Sequence, residues 1–301
     1  MSTTESLEPG TWEPHTVTAD VYVDPAPVAA LQALLDDGSA RVGPGDPLPP
    51  LWHWVALPRW APSSSLATDG HPRKGSFLPP VSQPRRMWAG GAVSFPGTLR
   101  VGETARSESE VVSVEHKTGR SGDLVIVQVA TRLYDGSGEL AVEERQDLVY
   151  RDAAAPGDRS QAGVLLEQAV GTLPAAPLTR AGEWSWELTT DPTLLMRFSA
   201  ATGNAHRIHY DWPYATQVEG YPGLVVHGPL MSLALAEVVR LESPGSRVGR
   251  ITHRNLAPLL CGAPARLRVA ERTSSEQGED VALQLLSEDK PRVALTATIL
   301  Q

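Results

Sequence analysis

The chain of 301 residues has a single cysteine, Cys261, so it can build neither an intrachain disulfide nor a cysteine-ligated metal cluster. It also lacks a basic excess. Its 26 lysines and arginines are outnumbered by 35 acidic residues, for a net charge of −9, which argues against nonspecific nucleic-acid binding because that needs cationic surface to neutralise phosphates. A few local arginines would still be enough to hold a small anionic ligand. Nowhere do about 18 apolar residues follow one another, as a membrane-spanning helix requires. Met1–Glu13 carries acidic residues where a secretory signal would have an apolar run. The expectation is a cytoplasmic protein with no nucleic-acid and no membrane partner. What is present is ordinary for a globular protein: 41% hydrophobic and 20% charged residues suffice for a packed core, and the length suits one large domain or two small ones.

Two stretches read as successive sheets. Ser107–Val114, Leu124–Leu133 and Leu140–Tyr150 are rich in Val, Ile and Thr, with turn signals at 119–122 and 135–138, which predicts an antiparallel meander. Residues 156–177 read as a linker between a domain at 1–155 and a second at 178–301, with a short helix predicted over Val164–Val170. Beyond it, Trp184–Leu188 alternates like a strand. Asp191-Pro192 then has the cap-and-proline form of a helix start, and Leu194, Leu195 and Phe198 give that helix an apolar face. A longer helix is predicted over Pro229–Leu241, and strands over Gly249–Leu256, Ala265–Arg272, Val281–Leu286 and Arg292–Leu300. The first half has a comparable order, with a helical pattern at Pro27–Leu35 ahead of its own meander. Between them, Gly43–Gly91 is dense in Pro, Gly and Trp. Segments that long without repetitive structure are usually functional or disordered, and Trp52, Trp54, Trp60, Phe77 and Trp88 argue for packing.

The densest chemical signal is the run from Phe198 to Asp211, where Asn204, His206, Arg207, His209 and Asp211 crowd together at the end of a helix. Further on, Gly223–Pro229 includes His227-Gly228 and opens the longer helix, whose first backbone N–H groups are free to stabilise an oxyanion. A base candidate followed by an anion-stabilising helix end is what thioester chemistry needs. A histidine pair three apart, with no third ligand at clear spacing, is weak support for a metal, so neither metal nor cofactor is expected.

The run Phe198–Asp211 with His227-Gly228 resembles the signature of the MaoC-type hotdog hydratases and dehydratases. The resemblance extends to the first half through Pro49–Trp54, Gly70-His71-Pro72, Phe77–Val81, Pro84–Gly91 and Glu143–Asp147. Those segments are similar to the subgroup of mesaconyl-CoA hydratases and mitochondrial-type hydroxyacyl-thioester dehydratases. It implies an α+β fold, a tandem double hotdog in which each half is an antiparallel sheet wrapped around a long helix and only the second half keeps the hydratase motif. It further implies His209 as the catalytic acid/base, Asn204 where the wider family has aspartate, and Gly228 as the oxyanion-hole glycine. Asn cannot accept a proton from water at neutral pH, so Asn204 is expected to orient the attacking water while His209 exchanges protons.

The implied activity is reversible hydration of a 2-enoyl-CoA, with a short dicarboxylic acyl group as the favoured case and no cofactor. Arg85, Arg86 and Arg207 are candidates for holding the coenzyme phosphates or a substrate carboxylate. His206, Asp211, Trp88 and His227 complete the expected binding set. Two alternatives stand beside this. One is a dehydratase acting on 3-hydroxyacyl groups carried by acyl carrier protein, which would want a basic docking patch that a charge of −9 disfavours. The other is a noncatalytic thioester-binding protein, for which Asn204 is the best support. The family implies a homodimer.

Overall fold

A computed structural model describes residues 12–119, 122–152, 175–276 and 278–300. The helix expected over Val164–Val170, and most of the expected linker, lie outside them.

The two meanders form as their alternation predicts. The first half carries β1 (Val17–Tyr22), β2 (Arg85–Ser94), β3 (Thr104–Gly119), β4 (Gly122–Tyr134) and β5 (Leu140–Arg151). The second carries β6 (Leu178–Gly182), β7 (Ser185–Leu188), β8 (Arg247–Asn255), β9 (Ala265–Ser275), β10 (Gly278–Ser287) and β11 (Lys290–Leu300). All pairings are antiparallel. The halves meet edge to edge where β2 pairs with β8, so the strands make one 11-stranded sheet in the order β1-β3-β4-β5-β2-β8-β11-β10-β9-β7-β6. At that seam Val93 faces Ile251 across the ladder, both fully buried.

The helices differ between the halves. In the first, α1 (Pro25–Leu35) starts where Asp24 accepts a hydrogen bond from the Ala26 N–H at 2.8 Å, two residues ahead of the expected start, and α2 (His53–Ala56) is a single turn. In the second, α3 (Pro192–Thr202) is capped by Asp191, whose Oδ1 accepts from the N–H groups of Thr193 and Leu194, and it ends at Gly203 in a left-handed conformation. The long helix, α4 (Gly228–Glu242), is buried on nearly every face, from Leu230 through Val239. A helix apolar all round must lie inside the fold, and α4 packs on β10 and β11.

One continuous core joins Leu31, Leu35 and Trp52 of the first half to Phe198, Leu233 and Val238 of the second. The Trp-rich segment contributes to it: Trp52 is fully buried, and Trp54 packs against it, while Phe77 and Trp88 lie on a smaller cluster around Val125, Val127 and Tyr150. Trp60 is the exception, 73% exposed. Charge also crosses between the halves. Glu237, buried in the middle of α4, accepts hydrogen bonds from Trp52 at 2.5 Å and from Arg240 at 2.7 Å, and Arg240 continues to Asp37 at 2.9 Å. These partners supply the hydrogen bonds that a buried carboxylate would otherwise lose.

Candidate active site

The site is assembled from the loop after α3, the start of α4, and a loop of the first half. After Gly203 the chain turns: Asn204 Oδ1 accepts the His206 N–H at 3.0 Å, and a short 3-10 turn spans Arg207–His209. Arg207 and Asp211 lock that turn. Two guanidinium nitrogens of Arg207 lie 2.8 and 2.7 Å from Asp211 Oδ2, and the Asp211 Oδ1 accepts the Tyr214 N–H at 3.1 Å. Both side chains are thus engaged with each other, and the guanidinium also sits over the Tyr214 ring.

His209 is buried, with its Nδ1 2.7 Å from the Val225 carbonyl. A carbonyl can only accept, so Nδ1 carries the proton and Nε2 keeps its lone pair. Burial lowers its pKa to about 4 against the opposing pull of the Val225 bond. The ring is neutral at pH 7. It stacks on His227 at 3.6 Å between centroids, and His227, the residue before α4, is fixed to α3 through its Nε2 and the Ser199 hydroxyl at 2.8 Å. The buried His227 Nδ1 has no hydrogen-bond partner among the described residues, and burial followed by the neighbouring imidazoles holds this ring neutral as well.

Gly228 opens α4 beside this stack. A Cβ there would lie 2.9 Å from both the Trp88 ring and the Asn255 amide, so any larger residue would have to displace one of them. Trp88 is held in place by β2, by the Asn255 amide donating to its carbonyl at 2.9 Å, and by stacking on His253 at 4.5 Å.

The first half supplies residues that sequence reasoning missed. Residues 67–71 turn tightly, with the Ala67 N–H donating to His71 O at 2.7 Å, and they press on the motif: the Arg207 N–H donates to Asp69 O at 2.9 Å and its guanidinium to Thr68 O at 3.1 Å. Gly70, at φ +92°, comes so close that a Cβ would stand 1.8 Å from Ala205 O. The effect is to lay His71 against His206, ring centroids 4.2 Å apart, with His206 in turn edge-on to His209 at 5.4 Å. Asp69 accepts from His71 twice, at the backbone N–H and at Nδ1, each 2.9 Å. Burial would raise the Asp69 carboxyl, but these bonds and the His71 charge outweigh it and hold the group below the usual carboxylate range. His206, crowded by burial, His71 and His209, is pushed down to about 2. The sequence signal was the Asp-Gly-His-Pro run at 69–72, whose Asp69 and His71 pair with each other but whose contact with the motif is distant in sequence.

Asp69, His71 and His206 each present a donor atom within 4.8 Å of the others, the one such group among the described residues that could take a metal ion. His209, the other half of the histidine pair noticed in sequence, is not in it.

A cavity of about 390 Å³ opens on the outer side of His71, within the range of small-molecule sites. Asp69, Lys74, Arg86 and Tyr150 share its wall with Tyr214 of the second half. The two adjacent arginines divide. Arg85 is bound to Glu219 at 2.8 Å and to the Tyr221 hydroxyl at 2.9 Å, whereas the Arg86 guanidinium has no hydrogen bond or ion pair among the described residues. The Tyr150 hydroxyl is likewise buried without a partner.

Residues 51–261, the span from the Trp-rich segment to the end of the site, match the family model of hydroxyacyl-thioester dehydratase type 2. The chain belongs to that family. A mesaconyl-C(4)-CoA hydratase of Chloroflexus aurantiacus is 42% identical over 91% of both chains, and a mitochondrial hydroxyacyl-thioester dehydratase type 2 of Schizosaccharomyces pombe is 27% identical over 74% of this chain and 78% of its own. Among solved structures, a MaoC-like dehydratase aligns with TM-score 0.67 at 14% identity, covering 95% of this chain and 97% of the other. A Mycobacterium tuberculosis protein described as a double hotdog aligns at 0.54 and 17%, covering 96% of each. At these identities the structures speak for the fold, and the fold is the double hotdog. No helix among the described residues is long and apolar enough to cross a membrane.

Proposed function

We propose that the protein adds water reversibly to a 2-enoyl-CoA, and that its preferred acyl group is short and dicarboxylic. Membership of the family and the 42% identical hydratase support the reaction class and the thioester. The observation that carries the mechanism is the fixed tautomer of His209, which presents an unprotonated Nε2 beside the start of α4.

In hydration, His209 Nε2 takes a proton from water as the water oxygen bonds to Cβ. The thioester oxygen gains negative charge as the double bond shifts. The Gly228 N–H, left without an acceptor in the first helical turn, and the positive end of the α4 dipole stabilise that charge. Asn204 Oδ1 already accepts the His206 N–H, which leaves its amide N–H groups and one oxygen lone pair to hold the water. Arg86 is the cation left free to meet a substrate carboxylate, on the wall of a cavity that His71 and Asp69 line and His209, Asn204 and Gly228 do not. A carrier-protein substrate is the second reading, disfavoured by the net charge of −9, and a homodimer is proposed on family grounds.

The test is loss of enoyl-thioester absorbance with crotonyl-CoA, mesaconyl-CoA and a longer 2-enoyl-CoA, using wild type and His209→Ala. We expect hydration favouring the dicarboxylic substrate, and a fall in kcat of at least about 100-fold in the variant. Near-normal turnover without His209 would overturn the assignment.

A further inference from the structure

Asn204 leaves the second half short of a group. Addition of water to a double bond moves two protons, one off the water and one onto Cα, and in the motif as folded only His209 combines a fixed tautomer with a free lone pair. The Asn204 side chain cannot titrate. His206 has no carboxylate to anchor it and lies between two other imidazoles.

We propose that His71, anchored by Asp69, is the second proton-transfer group of this site, supplied by the first half to complement His209 of the second. The inference rests on the hydratase reading above. Three observations carry it. His71 and Asp69 stand on the wall of the 390 Å³ cavity, where a ligand would meet them, and the free Arg86 stands there too. The Asp69 Oδ2 to His71 Nδ1 bond of 2.9 Å fixes the proton on Nδ1 and directs Nε2 away from the carboxylate, the arrangement that lets an imidazole pick up and deliver a proton at Nε2. The turn at 67–71 is fastened to the motif by the Arg207 bonds and by the close approach of Gly70, so the two histidines keep their separation.

The protons balance as follows. His209 takes one from water as the oxygen bonds to Cβ, and the π electrons move to Cα and the thioester carbonyl. His71, as imidazolium, gives its Nε2 proton to Cα and is left neutral, its Nδ1–H still donated to Asp69. The proton gained by His209 returns to His71 through solvent or the intervening His206. Burial and then the Arg86 charge oppose protonation of His71, while Asp69 favours it. A substrate carboxylate paired with Arg86 would offset the Arg86 part of that opposition.

The experiment compares wild type, His71→Phe and Asp69→Asn in hydration of whichever enoyl-CoA the wild type accepts, run in H2O and in D2O. Phenylalanine keeps a ring against His206 but carries no proton. We expect His71→Phe to lose about 100-fold or more in kcat with KM changed less than a few fold. The wild-type product should carry deuterium on one face of Cα and the variant's residual product on both. Asp69→Asn should lose less, with the pH limb of kcat displaced, and it carries the test should His71→Phe fail to fold by circular dichroism. Wild-type kcat and single-face labelling in His71→Phe, in an enzyme that still requires His209, would refute the role of His71 and leave the hydratase reading standing. A wild type that hydrates none of the thioesters would refute both. Activity abolished by a chelator and restored by zinc would also overturn the proposal, by assigning Asp69, His71 and His206 to a metal.

Discussion

Arg85 and Arg86 stand side by side at the start of β2 and both line the cavity, yet their partners separate them in consequence. Arg85 is spent on Glu219 and Tyr221, and Glu219 is only 9% exposed. Removing the guanidinium leaves that carboxylate without its cation, at a cost of roughly 2 kcal/mol. Arg85→Ala is therefore expected to lower Tm for every substrate condition alike. Arg86→Ala should leave Tm nearly unchanged, raise KM for mesaconyl-CoA by about tenfold or more as a charge-assisted contact is lost, and spare crotonyl-CoA. Thermal melts and initial rates on the two variants separate these outcomes, and equal KM changes for both substrates would remove Arg86 from the acyl end. The pair also shows why residue type alone is a poor guide. Both are arginines in one run, and only the position of Glu219, more than 130 residues away in the chain, decides which is free.

Elements whose signals are local were legible. The strands of both meanders follow from β-branched alternation, and α3 from its Asp-Pro start. That cap can be tested on its own: Asp191→Ala removes the acceptor for two helix N–H groups and should cost about 1 kcal/mol, seen as a Tm lower by a few degrees. An unchanged Tm would mean the cap contributes nothing beyond packing. β2 was not legible as a strand. Its sequence carries two adjacent glycines, which weaken strand propensity, and it was absorbed into the Pro- and Trp-rich stretch. Only pairing with β5 on one side and β8 on the other makes it a central strand. The 67–71 turn was hidden for the same reason. Gly70-His71-Pro72 carried the family resemblance, but its contact with Ala205 is between segments distant in sequence. Gly70→Ala should therefore behave as a site mutation despite its distance from the motif: with a Cβ 1.8 Å from Ala205 O, the turn must lift away. We expect kcat to fall at least tenfold by displacement of His71, checked by hydration rate alongside circular dichroism.

For the whole molecule, the histidines set the acid limit. His209 and His253 are lowered to about 4, His206 to about 2 and His227 well below its ordinary value, in each case by burial before any other cause. The folded protein refuses protons that the unfolded chain takes up below its ordinary histidine pKa near 6.5. Between about 6.5 and 4 the unfolded state therefore binds more protons, and stability falls as pH falls. The contribution is fully present above about 6.5. The lowered Asp69 and Glu144 carboxyls act in the same sense at lower pH. Urea midpoints should agree between pH 7 and 8 and drop by pH 5, with a shallower drop in His253→Phe, and a midpoint constant down to pH 5 would contradict the neutral assignments. The β2–β8 ladder has its own bearing at this scale. Each half on its own would present that strand as a naked edge, and an unpaired edge recruits whatever strand it meets. Expressed as separate polypeptides, the halves should thus aggregate when alone and rescue each other when mixed, because each is the other's natural cover.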